Sequence, residues 1–212
     1  MKKTGLLFTS ILVLAFAITA FAQEEEADWR NFEFTAHSGI TLPTGSLKTW
    51  NDSLGAKTGL NFGGSGGLYF NEKFCLGAYF NYTQSPMKLY NLHYKQYDMG
   101  AYAKYAFVGE SNFEPYVKLS AGLDFAKFAT WVDPANNRLR EVSYDGGLAF
   151  GAYAGFLFYT SDYGGIFAEA GYHLANLKDN PGEHAGKEYY FKDNLKYLDI
   201  KVGVMVFFGP EK

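Results

Sequence analysis

Few residues of this 212-residue chain have the types and spacing that chemistry needs. His37 and His173 are the first to weigh, because imidazole ligates metals and titrates near neutral pH. No carboxylate pattern fixes the geometry of a two-histidine site, so both are read as hydrogen-bonded interior residues. His93 and His184 fall in or beside loops and are expected to be solvated. Cys75 is the one cysteine; alone it forms neither an intramolecular disulfide nor a cysteine zinc site. It is read as a small buried residue without a reactive role. Gly63-Gly64-Ser65-Gly66-Gly67 matches the letters of a nucleophile elbow, which needs a strand-to-helix turn. Its glycines also resemble a phosphate loop, but no lysine or helix follows, and the run is expected to let strands pack closely. No catalytic residue, cofactor-binding residue, metal ligand or cofactor is therefore expected.

A larger constellation is made of charge. Glu33, Asp98, Asp124, Asp145, Glu169 and Asp199, with Lys104, Lys118 and Lys201, fall on one side of an apolar/polar alternation that also takes in His37 and His173. Period two means that strands must position them. Eight segments carry the alternation: about 31–42, 58–70, 74–84, 94–107, 116–131, 143–159, 165–177 and 194–208. In the first, Phe32, Phe34, Ala36, Ile40 and Leu42 oppose Glu33, Thr35, His37, Gly39 and Thr41. In the last, Leu198, Ile200, Val202, Val204, Val206 and Phe208 oppose Asp199, Lys201 and Gly203.

Composition agrees. With 20 Phe, 17 Tyr, 3 Trp and 24 Gly, the chain is too aromatic for disorder and too glycine-rich for a helical bundle. A formal net charge of -3 gives no basic surplus for nucleic acid. Beyond the N-terminal segment, the longest charge-free stretch, Gly146–Ser161, spans 16 residues and holds four glycines. A membrane-spanning helix needs about 20 apolar residues.

The N-terminus reads as an address. Lys2 and Lys3 precede an apolar run from Gly5 to Ala20, and Ala20-Phe21-Ala22 fits the small-x-small cleavage pattern. Residues 1–22 are thus expected to be a cleaved signal peptide, 23–30 a short periplasmic segment, 31–208 the folded domain and 209–212 a tail. N-terminal sequencing of the membrane-extracted protein should begin at Gln23; a folded protein that begins at Met1 would overturn this reading.

Connection lengths alternate. Those at 71–73, 108–113 and 160–164 are short, whereas 43–57, 85–93, 132–142 and 178–193 are longer. Phe107, Phe113, Phe158, Tyr159 and Tyr163 lie near the short turns; Tyr82, Tyr90, Trp131, Tyr144, Tyr189 and Tyr190 lie near the long loops. Aromatics at both strand ends match interfacial girdles. The expected fold is all-β, an eight-stranded antiparallel up-and-down transmembrane β-barrel with the charged face inside. The chain ends on a polar residue, a glycine and alternating apolar residues closing on an aromatic: Lys201, Gly203, Val206 and Phe208. That pattern resembles the C-terminal signal read by outer-membrane barrel-assembly machinery, although four residues follow Phe208.

On these features the chain resembles the small eight-stranded outer-membrane barrels of the OmpA-like and OmpX-like type. The resemblance implies a Gram-negative outer membrane, contact with its lipid and lipopolysaccharide, termini in the periplasm and long loops outside. The functional expectation is a non-enzymatic integral outer-membrane protein, structural or surface-contacting, with a polar lumen filled by side chains. Two alternatives stand beside it: a narrow pore for ions or small solutes, and a lipid-modifying enzyme. Against the enzyme, lipid A deacylases of this class carry a His and a Ser two residues apart. Here His37 and Ser38 are adjacent and face opposite ways. The loop 178–193, with the turn sequence Asp179-Asn180-Pro181-Gly182, is the preferred contact surface.

Overall fold

The computed structural model describes residues 31–49, 55–87, 93–109, 111–133, 138–178 and 194–209, with side chains described except at 46, 49, 128–133, 138–142, 145 and 177–178. The segments 1–22 and 23–30, the loop tip 179–193 and most of the C-terminal tail lie outside these residues. The strands are β1 (Phe32–Pro43), β2 (Gly59–Tyr69), β3 (Phe74–Pro86), β4 (His93–Ala106), β5 (Phe113–Asp133), β6 (Arg138–Ser161), β7 (Gly164–Lys178) and β8 (Leu195–Phe208). One helical turn, α1 (Ser46–Thr49), lies between β1 and β2. Each strand pairs antiparallel with the next, and β8 returns to β1, which closes the barrel. Within the barrel wall closure pairs every strand on both sides and leaves no edge, as a spanning sheet requires. Among the described residues no helix is long and apolar enough to cross a membrane.

The register fixes the barrel's shape. From Glu33 it leads through Gly67, Gly77, Tyr102, Ser120, Gly151, His173 and Tyr197, and returns to β1 at Pro43. The circuit advances from 33 to 43, a shear of ten residues. Eight strands with that shear tilt by about 40° and enclose a space that side chains can fill.

The faces sort as in a protein surrounded by lipid. Leu119 and Leu148 on the outer face are 64% and 60% exposed, and Phe34, Leu60, Phe150, Ile166, Val202 and Val204 are exposed beside them. Meanwhile Glu33, Asp98, Lys104, Asp124, Glu169, Asp199 and Lys201 are buried. Water as solvent would reverse this arrangement. The abundance of Tyr and Gly also finds its reason. Inward tyrosines lie over cross-strand glycines: Tyr102 pairs with Gly77 and Tyr116 with Gly155. A Cβ at Gly77 would lie 2.6 Å from Cζ of Tyr102, and one at Gly155 would lie 2.7 Å from Cζ of Tyr116. Large rings fit the narrow lumen only where the facing residue has no side chain.

Two expectations need correction. First, β5 and β6 run farther than 116–131 and 143–159, so the connection expected at 132–142 shrinks to residues 134–137. The two strands continue to pair past the rest of the barrel, as far as Asp133 and Arg138. Second, β6 slips register at Asp145/Leu148 and at Tyr159/Ser161, and the first slip changes which residues face inward. Tyr144 is buried rather than in a girdle, and the half-buried Tyr159 turns toward Glu114. Asp145, expected in the interior, falls at one of these slips, and its side chain lies outside the described residues. The aromatics at Phe107, Phe113, Phe158 and Tyr163 are exposed at the turn end. The side chains of Trp131, Tyr90, Tyr189 and Tyr190 lie outside the described residues.

Candidate functional site: a closed polar lumen

Alternation along each strand delivers the inward side chains, and the shear decides who meets whom. Three clusters result. Toward the turn end, Glu33 accepts hydrogen bonds from Lys104, from Tyr69 at 2.7 Å and from Tyr102 at 2.8 Å. The Lys104 ammonium also lies 5.0 Å from the Tyr69 ring centre and 5.3 Å from that of Tyr116. A buried carboxylate so surrounded has its desolvation offset by a cation and two hydroxyls.

At mid-barrel, Glu169 pairs with Lys118 and lies 3.7 Å from Lys201. The Tyr116 hydroxyl donates to it at 3.3 Å. Lys118 and Lys201 both lie over the Tyr153 ring, at 4.9 and 4.3 Å. Lys201 also approaches Asp199 at 3.8 Å. Asp199 in turn accepts from Thr41 at 2.6 Å and from Asn61 at 3.0 Å. Between the turn-end and mid-barrel clusters, water can reach only about 20 Å³, lined by His37, Asn81, Ser120 and Glu169 among others. That is room for about one molecule.

Toward the loop end, His173 lies between two acids. Its Nδ1 is 3.6 Å from Asp98 and its Nε2 3.4 Å from Asp124, and its ring stacks on Tyr197 at 4.6 Å. Tyr79 donates to Asp98 at 2.9 Å. Gln96 donates to Asp124 and to Tyr197, while Tyr94 donates to Gln96 at 2.5 Å.

The two histidines are not brought together. His37 pairs with Gly203 and His173 with Tyr197, on opposite sides of β8. Six residues along a strand separate them by about 20 Å. His37 meets the Phe167 ring instead, at 6.4 Å. Cys75 is fully buried beside the Tyr102 hydroxyl. The Gly63–Gly67 run lies within β2, where Ser65 meets Thr35 at 2.7 Å, and no helix follows it. Of the proposed assembly residues, Lys201 is buried in the lumen and Val206 and Phe208 face outward at the closing strand pair, where Phe208 lies opposite Phe32.

Two features escaped the sequence reading. Glu114 is buried and accepts a hydrogen bond from Tyr159 at 2.8 Å. The fifth segment was read from 116; carrying the alternation two residues back from Tyr116 finds the acid. The other is that large apolar and aromatic side chains lie at both lumen ends. Leu47 of α1, Ala56, Met87, Tyr94, Tyr144, Leu195 and Tyr197 form a buried cluster at the loop end. Ala56 and Met87 are bridged there, between the loops that follow β1 and β3. At the turn end Leu157 and Phe207 are buried, with Phe207 against Tyr69 and stacked on Tyr159 at 5.9 Å.

Comparison with known proteins places this geometry. The model of the outer membrane protein beta-barrel domain matches residues 8–208. The structure is similar to Neisserial surface protein A, at 21% identity and a TM-score of 0.57, over 84% of this chain and 97% of that one. It is also similar to the outer membrane protein OprG from Pseudomonas aeruginosa, at 13% identity and a TM-score of 0.52, over 86% and 97%. No curated protein matches the chain.

Proposed function

This chain belongs to the outer membrane protein beta-barrel family and resides in the outer membrane, and from that premise we propose that it is a non-enzymatic barrel with a sealed lumen that acts through structure and surface contact. The observation that carries the proposal is the filling of the lumen. Its lysines lie against carboxylates and aromatic faces, and an apolar cluster lies at the loop end. An ion entering would have to displace Leu47, Tyr94 and Leu195 at one end or Phe207 and Leu157 at the other, and then break buried ion pairs. What remains for interaction is the outer face and the loop end, with the long loops outside. Cleavage of residues 1–22 and delivery to the barrel-assembly machinery through the β8 terminus complete the reading.

Planar-bilayer recording tests it. The purified protein should give no stable conductance steps. Robust single-channel steps from the unaltered protein would overturn the sealed lumen in favour of a pore. A change in the lipid A mass spectrum on expression would overturn the non-enzymatic reading.

A further inference from the structure

Asp98 on β4 and Asp124 on β5 lie directly opposite each other in the register, and both are buried. Like charges so placed start about 5 Å apart at Cβ and repel. Among the described residues neither acid pairs with a lysine; Lys201 is engaged with Asp199 at 3.8 Å and with Glu169 at 3.7 Å. The group that stands between the two acids is the fully buried ring of His173 on β7. Its Nδ1 is the nitrogen nearer Asp98 and its Nε2 the one nearer Asp124.

A neutral imidazole carries one N–H and one lone pair. With both carboxylates ionised, that lone pair faces a negative charge. One further proton, on the ring or on a carboxylate, puts a hydrogen between each nitrogen and its acid. The other groups around the ring bring no positive charge in its place. Tyr153 on β6 and Tyr197 on β8 lie against it as phenols, and Asp199 on β8 adds a third negative charge nearby. Behind the acids, Tyr79 on β3 donates to Asp98 and Gln96 on β4 donates to Asp124.

The same groups hold the loop-end cap. Tyr197 stacks on His173 and is a member of the buried apolar cluster there. Gln96 donates to Tyr197 as well as to Asp124, and Tyr94 of that cluster donates to Gln96. The connection above is fastened to this level: the Thr44 amide donates to the Lys196 carbonyl at 2.8 Å, the Ala56 amide to Leu47 at 3.0 Å and the Lys57 amide to Pro86 at 2.8 Å.

We propose that Asp98, His173 and Asp124 form a proton-binding site that latches the loop-end cap, which is packed down while the site holds its proton and loosens when the proton leaves as pH rises. The proposal rests on the sealed lumen and adds what keeps its loop end closed. Without the proton, the carboxylates face a neutral ring, and water relieves their burial. Its way in from the loop end is past Tyr94, Leu195 and Tyr197. The coupling is reciprocal: a proton held about tenfold more tightly with the cap closed makes opening about tenfold easier once it has left.

Hydrogen exchange of the full chain in lipid vesicles, read by mass spectrometry from about pH 5 to about pH 10, spans the loss of a histidine proton. The reporter is the peptide that carries Ala56 and Lys57, with the intrinsic pH dependence of amide exchange divided out. In the unaltered protein its protection should fall about tenfold on the alkaline side. In Asp98→Asn/Asp124→Asn, whose amides accept the same hydrogen bonds and need no proton, protection should stay high throughout. Lysines and tyrosines titrate in both proteins, so the difference reads this site. Heat-modifiable gel mobility reports the barrel, and Asp124→Asn alone, with the same expected result, serves if the double variant does not assemble. Protection independent of pH in the unaltered protein, or an equal fall in the Asn variants, would overturn the latch. Bilayer recording separates the two readings. Conductance steps already at about pH 5 would sink the sealed lumen and the latch with it, whereas silence there with pH-independent protection sinks the latch alone.

Discussion

Glu169→Ala should destabilise the barrel by about 3–5 kcal/mol, the range for removing one partner from a buried ion pair. Glu169 pairs with Lys118 and faces Lys201 at 3.7 Å, and both lysines lie over the Tyr153 ring. Without it, two ammonium groups remain in a narrow lumen with Asp199, 3.8 Å from Lys201, as the nearest acid that is left. The cost comes from the stranded lysines rather than from the missing carboxylate. Glu169→Ala/Lys118→Met should therefore recover much of the loss, since an apolar replacement of a buried pair is often neutral. Urea titration in lipid vesicles, read by heat-modifiable gel mobility, measures both. A single variant as stable as the parent would show that water reaches these lysines freely and that the lumen is open.

On the other side of the same wall, Ala152→Arg should cost about 2–4 kcal/mol near the bilayer midplane. Ala152 is exposed on β6 and lies between Leu119 on β5 and Tyr172 on β7, both exposed. An arginine there has hydrocarbon around it and only a long side chain with which to reach the headgroups. The same substitution at Asn112, exposed in the turn between β4 and β5, should change stability little. Equal effects at the two sites would mean that lipid does not surround β6.

Alternation made one side of the question legible from residue types alone. Because side chains on a strand alternate with a period of two, Glu33, Asp98, Lys104, Lys118, Asp124, Glu169, His173, Asp199 and Lys201 could be put on a common face before any pairing was known. The apolar complement, from Phe34 to Val204, followed from the same parity. The family resemblance rested on that pattern, the alternating loop lengths and the last strand.

Parity says nothing about partners, however. Glu33 meets Lys104, 71 residues away, because a shear of ten sets their strands at matching heights across the lumen. The same shear keeps His37 and His173 apart, although each faces inward and their strands flank β8. Parity also fails where a strand gains a residue. The slip after Asp145 buried Tyr144. The apolar closure of the loop end was invisible for a third reason. Leu47, Ala56 and Met87 lie in connections, where no periodicity applies, and only the closed barrel beneath gives them a surface to cover. Local sequence thus determined which side of the wall each strand residue faces. Register, bulges and closure, which depend on all eight strands at once, decided which charges are paired and whether the lumen is open.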